Sequence, residues 1–488
     1  MLERSQLVPS AYNVAQLSRA GRRYVLFNTV STALLSVEPS DFELLEDVFP
    51  SPLLEDRPVR APMAPQAEDR LARPIELPES VFRVLRDGGF LVPRHLSERD
   101  YIRTRFNLSR MRAPARFVIA PTLDCNLTCF YCFEAKTKDR MAEEVQESVA
   151  SFVASRMSDS PPGDLTVEWY GGEPLLAQDV VRGLSRRLQS ICDEAGSGYS
   201  AAMVTNGTLL SPNTIEGLSA AGVRSFHVTL DGTAELHDAR RATRRDAGDP
   251  DVPTFDRIVE NVEAASERAQ VNVRLNVGKS NRHAVGAFLR FARDRRWAER
   301  GIEVYPAPIF GTSVPCMGYP DEALPEEDFE AVLDEFCEAG SGGYGASLAE
   351  VVGFPPGRHY TCEALAYNSF AVSPAGSLFK CPLEIDDESK AVGTASRPLD
   401  LYNTNLLKWL SFDPFDAGGC RECVFLPLCF GGCPKKLFEE GERGRRSACR
   451  FWSKRFSGLL SLAAKRGLGA GAGRAAGSAG AAFSADRS

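Results

Sequence analysis

Three cysteines stand at spacings of four and three residues in the stretch Cys125-Asn-Leu-Thr-Cys129-Phe-Tyr-Cys132. Thiolates are soft metal ligands, and a trio this close can wrap one metal centre without long-range folding. It is too compact for ordinary disulfides. Electron-transfer cubanes take four cysteines, so three leave one iron without a protein ligand. An open iron is a place where a small molecule can bind. With 13 cysteines in 488 residues, about 0.01 such trios are expected by chance. A zinc knuckle or three packed thiols are the competing readings.

A second set lies far downstream. Cys362 is followed by Gly376 and Cys381, then by Cys420, Cys423, Cys429 and Cys433, and Cys449 closes the series. Seven thiolates are too many for one cubane and one short of two full ones. Between the two sets comes Tyr170-Gly171-Gly172-Glu173-Pro174. Its glycines let a backbone approach a ligand closely, and the Glu173 carboxylate can accept from an ammonium. Thr205-Asn206-Gly207, Thr229-Leu230-Asp231-Gly232 and His237-Asp238-Ala239-Arg240 follow. Cys192 reads as a packed thiol.

Over roughly residues 113–455 these motifs resemble the radical S-adenosylmethionine (SAM) enzymes, with Cys125, Cys129 and Cys132 in the CxxxCxxC signature. The resemblance implies that the open iron binds the amino and carboxylate groups of SAM. One electron then cleaves the sulfonium to methionine and a 5′-deoxyadenosyl radical. Tyr131 is expected against the adenine. Gly171, Gly172, Glu173 and Pro174 match the motif that holds the amino group. Thr205, Asn206, Thr229 and Asp231 match positions lining the nucleoside. Arg240 or Arg241 could reach the carboxylate, and Arg274 or Asn276 faces the cofactor cavity. The run Arg240, Arg241, Arg244, Arg245 also reads as a solvated loop, or as a contact for an acidic peptide.

The downstream cysteines resemble, spacing for spacing, the SPASM extension of that family. The resemblance assigns Cys420, Cys423, Cys429 and Cys449 to one auxiliary [4Fe–4S] cluster and Cys362, Cys381 and Cys433 to another, for three clusters in all. Relatives with full ligation carry a further cysteine shortly before the first. Here Cys337 and Cys316 lie farther upstream than expected. Either one loops in, or that cluster keeps an open iron.

The elements that position these motifs alternate with regularity. Strands are expected at 116–122, 165–170, 201–205, 225–231, 271–277 and 302–306, with helices at 142–157, 178–195, 211–220, 254–269 and 282–294. Six strand–helix units imply a parallel sheet with right-handed crossovers, and every motif sits at a strand's carboxyl end, where parallel barrels keep their chemistry. The fold class is α/β. It comprises a partial (β/α)6 barrel at 113–312, an N-terminal winged-helix-like α+β module at 1–112, a SPASM domain at 313–455 and a terminal helix with a Gly/Ala tail at 456–488. In the module, Ser40 with Glu43 makes a capping-box pattern, and a proline-rich linker is expected at 50–78. A helix follows over 79–87, ending at Gly88. The module resembles leader-recognition modules of peptide-modifying enzymes; a structural cap on the barrel is the plainer reading.

Composition excludes some classes. The 43% hydrophobic and 25% charged content is that of a globular protein, and the net charge of −8 argues against nucleic acid or an acidic membrane as partner. No signal-peptide pattern opens the chain, which predicts a cytoplasmic address. The expected function is a maturase that abstracts hydrogen from a ribosomally made peptide and installs a thioether or other cross-link. Its partners would be a precursor peptide or protein and an electron donor such as flavodoxin or ferredoxin. One alternative is formylglycine formation, as in anaerobic sulfatase maturases, although the aspartate base those enzymes carry after the second SPASM cysteine is replaced here by Pro382. Maturation of a quinohemoprotein subunit and a plain iron–sulfur electron carrier are the others. No pattern identifies a catalytic base.

Overall fold

The computed structural model describes residues 3–17, 23–49, 53–54, 76–132, 134–158, 163–247, 252–309, 321–340, 359–416 and 418–466. The chain divides into two compact units. One gathers Met1–Met111, Leu348–Leu365 and Ser411–Ser488; the other gathers Arg112–Ser347 and Ala366–Leu410. The stretch 313–455 therefore contributes to both.

The first unit opens with β1 (Leu7–Pro9), β2 (Asn13–Leu17), β3 (Tyr24–Asn28) and β4 (Leu34–Val37), then α1 (Pro39–Phe42), β5 (Leu53–Leu54), α2 (Glu79–Asp87), β6 (Leu91–Pro93) and α3 (Glu98–Met111). Four strands form a sheet in the order β4-β3-β2-β5, and β1 pairs with β6. Leu26, Leu45, Phe82, Leu85 and Phe90 fill its core. Two expectations change here. Ser40 is not an N-cap: Pro39 takes the first helical position and Glu38 the extended residue before it, because proline's fixed φ suits that position. The proline-rich stretch is not all linker, since Leu53 pairs with Gln16; residues 55–75 lie outside the described residues, as does the tail from 467.

The C-terminal helix Glu442–Arg466 closes this sheet. Gln16 donates to Ser457 O at 3.2 Å and to Ser461 Oγ at 2.8 Å, and Phe456 meets Phe27 at 6.0 Å. Phe106 of α3 lies 5.4 Å from Phe430 and 5.7 Å from Phe415. N-terminal elements and the late cysteine segment thus pack on one another.

The second unit contains β7 (Arg116–Ile119), α4 (Glu143–Ser158), β8 (Leu165–Trp169), α5 (Gln178–Ala195), β9 (Tyr199–Thr205), α6 (Pro212–Ala220), β10 (Val223–Thr229), α7 (Ala234–Arg240), α8 (Phe255–Ser266), β11 (Gln270–Val277), α9 (Val285–Asp294), β12 (Ile302–Pro308) and α10 (Glu326–Gly340). β7 to β12 are parallel neighbours in sequence order, the partial barrel the strand–helix alternation predicts. β13 (Ser369–Val372) adds parallel to β7, and β14 (Ser377–Phe379) and β15 (Gly393–Thr394) follow antiparallel.

Strand residues alternate in burial. Phe117, Val167, Trp169, Met203, Phe226 and Val273 are fully buried, and Phe152 of α4 packs on Phe117 at 6.1 Å. The intervening residues, such as Glu168, His227, Arg274 and Tyr305, are half-exposed. One sheet face carries the helices and the other is open. Among the described residues no helix is long and apolar enough to cross a membrane.

Candidate cofactor and cluster site

The loop after β7 carries the first cysteines, and backbone bonds hold it on both sides. Thr128 N donates to Ala242 O at 2.8 Å, Arg244 N to Asn126 O at 2.8 Å and Phe130 N to Arg240 O at 3.4 Å, which ties the loop to the end of α7. The Arg244 guanidinium pairs with Asp124. Leu127 N points at Cys125 Sγ at 3.5 Å. Burial pushes the Cys125 thiol up to about 11, helped by Glu173, and the Cys132 thiol up to about 12, opposed by Lys136. Thiolates so buried need a bound cation to stay charged.

The Gly171-Gly172-Glu173 turn leans on the same loop. Gly172 N donates to Thr122 O at 3.3 Å and Glu173 N to Asp124 O at 2.8 Å. A Cβ on Gly171 would stand 2.3 Å from Thr122 O, and one on Gly172 2.3 Å from Asp124 O and 2.4 Å from Leu123 O. The glycines therefore serve a backbone-to-backbone approach, not only an approach to a ligand. Pro174 starts the short 3₁₀ turn Pro174–Ala177, capped by the Glu173 side chain.

Glu173 is fully buried. Its carboxylate accepts from Leu175 N at 3.0 Å, Asn206 N at 2.7 Å and Thr205 Oγ1 at 2.8 Å. Burial raises its pKa, while those donors and Arg241 hold it down. Asn206 reaches the cysteine loop itself, through Asn126 Oδ1 at 2.8 Å and Cys125 Sγ at 3.8 Å. Thr205, Asn206 and Glu173 are thus one network around Cys125.

Tyr131 stands at the centre of a second network. Arg241 Nη1 lies 2.7 Å and Asn276 Nδ2 3.2 Å from its hydroxyl. Arg240 stacks over Phe130 and Tyr131 at 5.0 and 5.2 Å. The Arg240 guanidinium is held by protein: Asp231 at 3.2 Å, Glu322 at 2.7 Å and Ser280. Arg241 differs from Arg240 in reaching the Tyr131 hydroxyl with no carboxylate bonded to its guanidinium among the described residues. Burial works against its charge, but Cys129, Tyr131 and Asp231 together push its pKa well above the usual range. Thr229 ends β10 in register with Arg274.

Glu134 and Tyr170 went unseen as site members, and Asp386, out of register with the expected base position after Cys381, joins them. Glu134 is buried two residues past Cys132; burial raises its pKa to about 7, against a hydrogen bond with Tyr170. Burial and Glu134 push the Tyr170 hydroxyl well up. Asp386 Oδ2 accepts from Ala135 N at 3.0 Å. The signal for the first two was present, a Glu just past the third cysteine and a Tyr before the glycines, but their pairing needs the fold.

The other unit holds Cys420, Cys423, Cys429 and Cys449. Burial raises Cys429 to about 12, with Cys449, Cys420 and Cys423 adding to it, and raises Cys423 to about 11, with Cys420 and Cys449 adding. Thr361 Oγ1 donates to Gly432 O at 3.2 Å, which ties the neighbour of Cys362 to the neighbour of Cys433. Cys381 belongs to the barrel's unit. Cys316 and the Cys337 side chain lie outside the described residues. None of the 11 described cysteines is in a disulfide.

The residues fit the groups the motifs imply. Asp231 Oδ1, Arg240 Nη2 and Arg241 Nε are buried without a hydrogen-bond partner among the described residues, polar atoms such as a zwitterionic nucleoside ligand would satisfy. Among the described residues no three His, Cys, Asp or Glu side chains converge on one ion.

Residues 119–292 match the model of the Radical SAM superfamily, and the barrel is a radical SAM domain. The AdoMet-dependent heme synthase of Methanosarcina barkeri is 30% identical over 234 residues, 47% of this chain and 60% of that protein. A probable GTP 3′,8-cyclase of Saccharolobus islandicus is 28% identical over 219 residues, 44% of this chain and 61% of that protein. The chain spans about 60% of the length of these curated relatives. A solved structure of native anSMEcpe with bound AdoMet and the Cp18Cys peptide is similar with a TM-score of 0.57 at 19% identity, covering 72% of this chain and 99% of that one. That likeness is one of fold.

Proposed function

We propose that this chain, whose barrel is a radical SAM domain, is a cytoplasmic maturase that cross-links a ribosomally made peptide, as a thioether or another side-chain bond. The observation that carries the reading is that Cys420, Cys423 and Cys429 sit on consecutive turns, joined by Cys423 N to Cys420 O at 3.2 Å and Leu426 N to Cys423 O at 3.0 Å, with the helix of Cys449 packed on Gly432 through Ala448. SAM cleavage requires one cluster. A second thiolate-bound redox centre offers an outlet for the electron released when a substrate radical is oxidised. The peptide held by the fold-mate anSMEcpe supports a peptide substrate.

When bound, the first cluster and SAM supply a 5′-deoxyadenosyl radical. The chain's own residues do the positioning. Cys125, Cys129 and Cys132 hold the cluster. Glu173 takes the amino group. Arg241 takes the carboxylate. Asp231 accepts from the ribose, and Tyr131, fixed by Arg241 and Asn276, borders the adenine.

A second reading, formylglycine formation, is favoured by one observation: Asp386 comes to the cysteine loop at Ala135 although Pro382 occupies the expected base position. Co-expression with the short reading frames beside the gene, followed by peptide mass spectrometry, separates the two. Loss of about two mass units per bridge marks a cross-link; conversion of one Cys or Ser to an aldehyde marks formylglycine. No change in any peptide, with no 5′-deoxyadenosine from reduced protein, rejects both.

A further inference from the structure

The open face of the barrel sheet is polar where the family of buried strands would be apolar. Arg116, Glu168, His227, Arg274 and Tyr305 stand on it, half-exposed, between fully buried neighbours. Most of these groups have partners. Arg116 and Glu168 lie 3.9 Å apart, and His227 Nδ1 lies 3.4 Å from Tyr305 Oη. Burial lowers the His227 pKa; Glu168 opposes this and Arg274 adds to it. The other carboxylate of this face, Glu303, is exposed one register step lower, opposite Asn272.

Arg274 differs from the rest. Its Nε donates to Asn276 Oδ1 at 2.8 Å, and it makes no ion pair among the described residues. Its fork is therefore available to a ligand. Its height in the barrel is defined as well. Asn276 lies two residues along β11, hence on the same face, and touches Tyr131, the residue before Cys132. Arg274 stands one pleat, about 7 Å, below the layer of the cysteine loop. Tyr170, beside Gly171, feels its charge.

We propose that Arg274 is the substrate-anchoring residue of this face, binding a carboxylate of the peptide substrate and thereby setting which residue meets the radical. The inference rests on the maturase reading. A planar guanidinium matches a carboxylate in two parallel hydrogen bonds, and a strand-borne anchor holds its ligand more tightly than a loop does. Placement of the reacting atom is what a radical enzyme must control. The carboxylate comes from an Asp or Glu side chain next to the attacked residue, or from the peptide's C-terminus.

The test is calorimetric titration of the reconstituted full chain with blocked pentapeptides that differ only in Asp against Asn, or in a free against an amidated C-terminus. The expected result is at least tenfold tighter binding of one carboxylate form over its amide, the value of a charge-assisted hydrogen bond. Arg274→Gln should bring the ratio to about one, and Arg274→Lys should restore part of it. Which pair discriminates identifies the source of the carboxylate. Equal binding of every pair by the unmodified protein, no binding of any carboxylate form, or an undiminished ratio in Arg274→Gln overturns the proposal. Release of 5′-deoxyadenosine by the unmodified protein, measured without peptide, reports the radical reading separately: its presence alongside equal binding rejects the Arg274 anchor alone.

Discussion

The two cysteine constellations meet one requirement with different scaffolds. The first lies on a loop clamped between backbones, with Thr128, Phe130 and Arg244 bonded to one neighbour and Gly172 and Glu173 to the other. The second is built from turns. Phe430, Gly431 and Gly432 all take positive φ, at 42°, 80° and 81°, and a Cβ on Gly432 would stand 2.5 Å from Ala448 Cβ, next to Cys449. A left-handed bend thus lets the helix bearing Cys449 pack closely on the turn that follows Cys429. The first site inherits its shape from the barrel and the second makes its own. Damage to one should leave the other standing.

The largest effect follows directly. Cys129→Ala should lower 5′-deoxyadenosine release by more than about a thousandfold. Cys429→Ala should keep that release and lose the modified peptide. Equal loss of 5′-deoxyadenosine in both variants would mean the second constellation serves the first reaction step, and the contrast drawn above would fail.

Glycine substitutions sharpen the comparison. Gly172→Ala drives a Cβ into two backbone carbonyls that cannot yield, and should cost about 3 kcal/mol or more. Gly432→Ala adds left-handed strain and a methyl contact with the Ala448 side chain, costing about 1–3 kcal/mol. Denaturant unfolding measures both, and iron content should show each variant depleted in its own cluster only.

Acid should distinguish the regions next. His237 is fully buried and its Nδ1 accepts from Asp231 N at 3.3 Å, while Nε2 lies 3.3 Å from Thr254 Oγ1. Protonating Nδ1 would set one N–H against another. Burial, then Arg241 and Arg240, hold its pKa well below the usual value. In the unfolded chain it titrates near 6.5, so the unfolded state binds the extra proton first. Stability is full above about pH 6.5 and falls below it by about 1.4 kcal/mol per pH unit. Glu173, its pKa raised by burial, runs the opposite way, so the difference between the unmodified protein and His237→Gln isolates the histidine. The second constellation has no histidine between Cys420 and Cys449, and its cluster spectra should outlast the first site's on acidification. Parallel slopes for the two proteins would remove His237 from this role.

Much of this was legible in the sequence because local patterns carry it. The six barrel strands and their helices follow apolar periodicity, and α2 occupies 79–87 as expected. The cysteine sets announce themselves by spacing. What stayed hidden depends on contacts between distant residues. Ser40 resembled a cap because composition cannot say that Pro39 starts the helix. The choice between Arg240 and Arg241 turns on Glu322, 82 residues away, whose carboxylate occupies Arg240. The pairing of Glu134 with Tyr170 joins the cysteine loop to a strand end that no periodicity links to it. Likewise, α7 is too short at seven residues to show a period.

The smallest effect concerns the charge beside each centre. Arg445 stands one turn before Cys449 on the same helix. Burial raises the Cys420 thiol and Arg445 opposes it, as it does at Cys449. Its own ion pair, with Glu442 at 3.4 Å, is to an exposed carboxylate and so weak. A reduced cluster carries one more negative charge than the oxidised form, so a nearby cation favours reduction and raises the potential. Arg445→Gln should lower the midpoint potential of the auxiliary cluster by on the order of tens of millivolts, with the first cluster unmoved. Redox titration followed by electron paramagnetic resonance reads both signals. A shift in both would show that the two centres do not behave independently, and no shift in either would show that Arg445 faces solvent and not the cluster.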